Sequence, residues 1–254
     1  MNIHSSRSSF FVKGYSLLDI KECTSTTAVN ENLKNFFLND SLKNGFTWEE
    51  KYRGTKDLRP NVFGYDDCFV EFLFENNFHN AIHSLVGHDL VLSHIQIRKS
   101  SSTSSYMPWH RDAYYSSGKS VGMVPPAHKI IYYPEVSEKL YPMLEILEGS
   151  QLMWFLNQES SSFLSPGFSG YDKEIFRVLK KRVISADNNK ALLFNTSMLH
   201  NVIGDSGPGS IRLIFSFIED NQFTEEMLSD PTHAKVRKAY SDRLTSIRES
   251  EDTK

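Results

Sequence analysis

Two cysteines, Cys23 and Cys68, are all that the 254 residues contain. Two thiols so far apart build neither a disulfide framework nor a thiolate metal cluster, which excludes the small stapled scaffolds and the zinc fingers. Long apolar runs are also missing: no stretch approaches the roughly 18 residues that a membrane-spanning helix needs. Nor is there an excess of one charge. With 28 Lys and Arg against 31 Asp and Glu, the net charge of -3 gives no general attraction to nucleic acid or to an anionic membrane. The opening "MNIHSSRSSFFVKGYSLLD" has no long apolar core and no small-residue cleavage site, so no secretory signal is expected. Internal repeats and low-complexity linkers are absent too. These absences leave a cytoplasmic, globular protein of a reducing compartment, with no nucleic-acid or membrane partner, as the expectation.

What the chain does have is aromatic mass. It holds 18 Phe and 11 Tyr, ample for a packed core. "NENLKNFFLNDSLKNG" has helical spacing that stops at Gly45, and "DCFVEFLFENNFHNAIHSLVG" ends on Gly87, a natural helix stop. "SFFVKGYSLLDI" reads as a short strand and turn. From "DLVLSHIQIRK" onward the period changes to two: Leu90, Leu92, His94, Gln96 and Arg98 alternate with Val91, Ser93, Ile95 and Ile97. "HKIIYYPEV", "PMLEILEG", "RVISADNNKALLFN" and "IRLIFSFIE" continue in the same texture, separated by Pro, Gly, Asn and Ser clusters. The expectation is one domain over 1–254: a mixed helical part over 1–87, an all-β core over 88–220, and a C-terminal helix and tail over 221–254.

Among nine histidines, only His110 has an acidic residue two positions later, in "YMPWHRDAYYS". On an extended segment, residues two apart project to the same side, so His110 and Asp112 can reach one ion together. The same pair also reads as an ordinary solvated loop. A second feature lies in "ALLFNTSMLHNVIGDSGPGSIRLIFSFI". His200 ends an apolar strand-like run, and Arg212 sits inside another. "GDSGPGS" between them is strong turn chemistry. A hairpin centred near residue 206 would place Arg212 opposite His200, within a residue or two. A guanidinium in so apolar a strand is costly unless it meets an anion, either a bound carboxylate or an acidic residue from elsewhere in the chain. Two histidines and one carboxylate on one face of an iron leave three positions open, the arrangement of non-haem Fe(II) oxygenases. "HNAIH" offers a competing zinc pair, His79 and His83, without the glutamate of a metalloprotease motif.

At these residues the chain resembles the phytanoyl-CoA dioxygenase-like family of Fe(II)/2-oxoglutarate oxygenases. "LVGHDLVLSHIQIRK", "PWHRD", "HKIIYYPEVSEKLYPMLEILEGSQ" and "NKALLFNTSMLHNVIGDSGPGSIRLIFSF" carry the likeness, over roughly residues 85 to 218. The resemblance implies a double-stranded β-helix, a mainly β jelly roll of the cupin kind with helical flanks. It implies Fe(II) on His110, Asp112 and His200, with 2-oxoglutarate and O2 as cosubstrates and Arg212 on the 2-oxoglutarate carboxylate. Gln96 matches a cosubstrate-contacting position. The implied activity is hydroxylation of a small molecule. Two departures stand out: "EGSQ" replaces the family's Pro-Gly-Ser-His, and Val202 stands where relatives place a small hydroxylated residue. Trp109, Arg111, Tyr114 and Tyr132 are candidate substrate residues, with Tyr115 and Tyr133 beside them, although aromatic side chains in a jelly roll are more often core. Arg98, Lys99, Arg111, Lys119 and Lys129 cluster near the motif, which points to an anionic substrate or to a solvated basic edge. The alternative function is a cupin-like metal-binding isomerase or a non-catalytic ligand-binding jelly roll, neither of which needs a buried arginine at position 212.

Overall fold

A strand with apolar residues on both faces is stable only between two layers, and the nine residues of "SIRLIFSFI" are all buried. The computed structural model describes residues 3–39, 47–52, 55–59, 67–87, 90–100, 107–110, 127–134, 144–152, 176–184, 189–202, 210–220, 225–229 and 231–252. In chain order the elements are α1 (Ile3–Lys13), β1 (Tyr15–Asp19), α2 (Thr24–Leu38), β2 (Thr47–Tyr52), β3 (Thr55–Arg59), α3 (Cys68–Glu75) and α4 (Phe78–Val86). The strands β4 (Val91–Ser100), β5 (Met107–His110), β6 (His128–Tyr132), β7 (Leu144–Leu147) and β8 (Lys181–Ile184) follow. Then come β9 (Lys190–Asn195), β10 (His200–Val202), β11 (Ser210–Ile218), α5 (Glu225–Ser229) and, after a 3-10 turn at Pro231–His233, α6 (Ala234–Asp252).

Among the described residues the strands form two antiparallel sheets, one of seven in the order β1-β9-β6-β11-β4-β3-β2 and one of four in the order β5-β10-β7-β8. This is the expected jelly roll with helical flanks. Pleat parity sorts the large sheet into two faces. Leu213, Phe215 and Phe217 of β11 join Leu33, Phe69, Phe72 and Phe78 of the helices in one apolar cluster. Phe72 stacks on Phe215 with ring planes only 9° apart. Ile214 points the other way, into a second cluster with Ile131, Leu144, Ile146, Leu192, Phe194, Met198 and Val202 between the sheets. The helices therefore support the back of the large sheet, and the small sheet covers its front.

Gly87 ends α4 as expected, at φ 91° with its N–H donating to the His83 carbonyl. Gly45 lies outside the described residues. Among those residues, no helix is long and apolar enough to cross a membrane.

Three findings differ from the sequence expectation. In the N-terminal part, "SFFVK" of the expected strand and turn belongs to α1 and only "YSLLD" is strand, and β2 and β3 join β1 in the large sheet. Its hairpin "TWEEKY"–"TKDLR" is too charged to show a strand period. The alternation in β4 is interrupted: Ser216 pairs with His94 but Phe217 pairs with Leu92, so a bulge at Ser93 turns Leu92 to the same helix-packed face as Ile95 and Ile97. And β10 and β11 do not form a hairpin; they belong to opposite sheets.

Candidate metal centre

β10 runs between β5 and β7, and its first residue, His200, pairs in register with His110 at the end of β5. Directly opposed residues of an antiparallel pair share a face and stand close together. Accordingly the two imidazoles meet, with ring centroids 4.2 Å apart. Both residues are nearly inaccessible, at 2% and 3% exposure. His200 faces the space between the sheets, where its ring meets Phe194 edge-on at 5.2 Å. Nδ1 of His200 lies 2.8 Å from the Met198 carbonyl oxygen. A carbonyl only accepts, so Nδ1 carries the proton, which in the neutral ring leaves the lone pair on Nε2. The segment before it is pinned: the Leu199 N–H donates to Ser150 Oγ at 2.8 Å, and the Leu147 N–H donates to the Leu199 carbonyl at 2.9 Å. Two buried imidazoles on one face suit a divalent first-row metal. Asp112, the third expected ligand, lies outside the described residues, as do Arg111 and Tyr114.

Across the sandwich, Arg212 shares the pleat parity of Ile214 and so faces the same space. It is 2% exposed. Nη1 donates to Ser100 Oγ at 2.9 Å, while Nη2 is buried without a hydrogen-bond partner among the described residues. Desolvation pulls its pKa down to about 10, with Tyr133 opposing the shift and Arg98 adding to it. It thus remains cationic at neutral pH. Burial also raises the Tyr133 phenol, against the fields of Arg212 and Arg98. An orphaned, desolvated guanidinium nitrogen is the mark of a place for an anion. The hairpin expectation set Arg212 opposite His200 in one ladder; instead the two residues approach from opposite sheets, and the partner of Arg212 in register is Arg98.

Arg98 leads to a residue the sequence reading missed. Asp57 of β3, 1% exposed, accepts from Arg98 Nε at 2.6 Å and Nη2 at 3.0 Å, and from Gln96 Nε2 at 2.8 Å. So Gln96, expected on the cosubstrate, gives one amide hydrogen to Asp57. Asp57 is thus an acidic group whose field also reaches Arg212, while its hydrogen bonds go to Arg98 and Gln96. Cutting one side of a buried pair leaves a desolvated charge, so Asp57→Ala is expected to lower unfolding stability by ~3–5 kcal/mol. The double variant Asp57→Ala/Arg98→Met is expected to recover most of that loss. Chemical denaturation measures both, and a loss below ~1 kcal/mol in the single variant contradicts the pairing.

The remaining candidates are placed differently. Tyr132 is turned to the helix face, where its hydroxyl donates to Asn30 Oδ1 at 2.8 Å and its ring packs on Phe72; it is core, not pocket lining. The neighbouring Tyr133 takes the inner face in its stead. Trp109, half-buried, meets Phe176 edge-on at 4.8 Å beside Leu147 and Leu199. Of the basic cluster, Arg98 is held by Asp57, and Lys99 donates to the Phe37 carbonyl beneath the rings of Phe37 and Trp48. His79 of "HNAIH" lies against Phe74 at 4.8 Å, and no group of three His, Cys, Asp or Glu positioned for a metal occurs among the described residues.

No family model matches the sequence, and no curated protein matches it. Solved structures do match in fold. The epimerase SnoN in complex with Fe3+, alpha ketoglutarate and nogalamycin RO superposes with a TM-score of 0.64 at 9% identity, over 85% of this chain and 83% of SnoN. EctD from S. alaskensis, with 2-oxoglutarate and 5-hydroxyectoine, gives 0.61 at 12% identity, over 84% of this chain and 75% of EctD. EvdMO1 gives 0.58 at 11% identity, over 86% of this chain but only 50% of its own length. At such identities the likeness is one of architecture: the chain has the jelly-roll fold shared by these proteins, two of which hold a 2-oxo acid, and it carries a buried histidine pair and a buried arginine facing the space between its sheets.

Proposed function

We propose that the chain is a non-haem Fe(II)/2-oxoglutarate-dependent oxygenase that hydroxylates a small molecule, within the phytanoyl-CoA dioxygenase-like group. The observation that carries this reading is the pairing of two elements across one space: the buried His110–His200 couple and the cationic, desolvated Arg212. His110, His200 and Asp112 hold the iron, and Arg212 takes the far carboxylate of 2-oxoglutarate. Bound there, the iron supplies activation of O2 coupled to oxidative decarboxylation of 2-oxoglutarate to succinate and CO2. The chain's own residues do the rest. The Met198 carbonyl holds the proton of His200 on Nδ1. Arg212 orients the cosubstrate by charge-assisted bonds, and the apolar cluster of Ile131, Leu192, Phe194 and Ile214 keeps water from the buried space.

The similar structures support a small-molecule substrate, since SnoN is crystallised with nogalamycin RO and EctD with 5-hydroxyectoine. SnoN is an epimerase, so the fold also serves reactions other than hydroxylation; a carboxylate at Asp112 favours hydroxylation or a related oxidation in our reading. A cupin-like isomerase would use the ligands but has no call for a buried arginine, and Arg212 weighs against it. The test is turnover of the cosubstrate. Protein loaded with Fe(II) under argon and then given 2-oxoglutarate and O2 is expected to form succinate slowly, and faster when a metabolite mixture contains the substrate. Succinate no higher than in the metal-free control contradicts the proposal.

A further inference from the structure

We infer that Gly14, at the junction of α1 and β1, is a positioning residue for His200, and that the C-terminal end of α1 serves as the seat of this metal ligand. The inference rests on the metal centre proposed above. Gly14 stands at φ 82° and closes α1, its N–H donating to the Phe10 carbonyl at 2.7 Å. Its own carbonyl accepts the Asn195 N–H at 2.9 Å, at the start of the turn that leads to His200. Around it the chain closes tightly. A Cβ at position 14 would lie 2.2 Å from Met198 Cε and 2.5 Å from Gln151 Oε1, well inside van der Waals contact. Met198 is fully buried and Gln151 is 6% exposed. Gln151 is itself tied to the helix end, Nε2 donating to the carbonyls of Phe11 at 2.8 Å and Val12 at 3.2 Å.

Met198 is the residue whose carbonyl fixes the His200 ring. Its side chain is wedged against Gly14, and its backbone N–H donates to the Asn195 carbonyl at 3.1 Å. On the other side, Ser150, next to Gln151, accepts the Leu199 N–H. The helix end, the turn after β7 and the turn before β10 therefore lock into one unit, and the imidazole is its last member. Any side chain at position 14 combines a left-handed backbone with displacement of Met198, and the displacement passes to the hydrogen bond on Nδ1.

The test compares Gly14→Ala with Gly87→Ala. The second glycine is equally left-handed, but a Cβ there meets only the end of the exposed Arg7 side chain. Ni(II), an air-stable probe for imidazole sites, is titrated into metal-free protein. Gly14→Ala is expected to raise the Ni(II) Kd at least ~10-fold, the scale on which groups that orient a metal ligand act. Gly87→Ala is expected to lose thermal stability and keep its Ni(II) Kd within ~2-fold of wild type on the same scale. The downfield ring N–H proton of His200, identified by its loss in His200→Ala, is expected to shift or exchange rapidly in metal-free Gly14→Ala and to persist in Gly87→Ala. Should Gly14→Ala not fold, Ser150→Ala removes the hydroxyl that receives Leu199 without backbone strain and carries the same expectation. A wild-type Ni(II) Kd and an unchanged His200 proton in the folded variant overturn the positioning role. A wild type that binds no Ni(II), while its His200 proton still responds to position 14, contradicts the metal centre and upholds the positioning.

Discussion

Arg212→Met is expected to separate ligand affinity from stability: the metal-free variant folds at least as stably as wild type yet binds 2-oxoglutarate ~100-fold more weakly. The two halves have one cause. The guanidinium is almost wholly buried with a single bond, to Ser100, among the described residues. A methionine of similar length removes the cost of burying that charge, and such exchanges are neutral or favourable by ~1–4 kcal/mol. The direction of the pKa agrees. A base whose pKa falls to about 10 on folding is charged at a cost everywhere below about 10, and stability would rise only as pH climbs from there towards the ordinary guanidinium value. In the proposed complex the same charge would face a carboxylate, where each charge-assisted bond contributes about 1.5–3 kcal/mol, so two bonds at the lower end of that range already correspond to about a hundredfold. Denaturant unfolding and equilibrium titration of the one variant measure both. A large loss of stability without ligand, or unchanged 2-oxoglutarate affinity, contradicts the role given to Arg212. Lysine at this position is not expected to rescue it, because a point charge on a flexible stem lacks the planar fork.

His200→Ala is expected to have the larger effect on the metal, lowering Fe(II) affinity by more than ~100-fold, beyond the 10–100-fold that outer partners of a ligand contribute. The loss should exceed that of Gly14→Ala, since the ligand itself is gone. Because the pair with His110 is in register on adjacent strands, His110→Ala is expected to match it closely. Equilibrium dialysis under argon measures the affinities. If His200→Ala retains wild-type affinity while His110→Ala loses it, His200 is a packed core histidine and the two-histidine centre fails.

His110 stood out in the sequence by the acidic residue two positions on, and His200 and Arg212 as polar groups expensive to bury in stretches otherwise apolar. Their mutual placement was less so. Arithmetic across "GDSGPGS" assumed that a turn-rich connection joins neighbours in one sheet, whereas in a sandwich it also crosses from one sheet to the other, as here. Asp57 escaped notice because its partner Arg98 lies 41 residues away and its strand alternates charges rather than apolar groups. The choice between Tyr132 and Tyr133 could not be read either. In "HKIIYY" both faces are covered, so the pattern is apolar throughout and carries no sign of which face is which. The bulge at Ser93 had the same effect on β4, shifting parity by one without altering composition. Residue chemistry was thus visible early, and pleat parity had to come from the folded chain.

Anaerobic titration of Fe(II) and then 2-oxoglutarate into wild-type protein most directly tests whether the histidine couple and Arg212 form one centre. A weak visible absorption band of the metal–2-oxo acid chelate should grow to saturation at one equivalent of iron. It should be absent from His200→Ala and require far more 2-oxoglutarate in Arg212→Met. No band in iron-loaded wild type, or an identical band in all three proteins, contradicts the account.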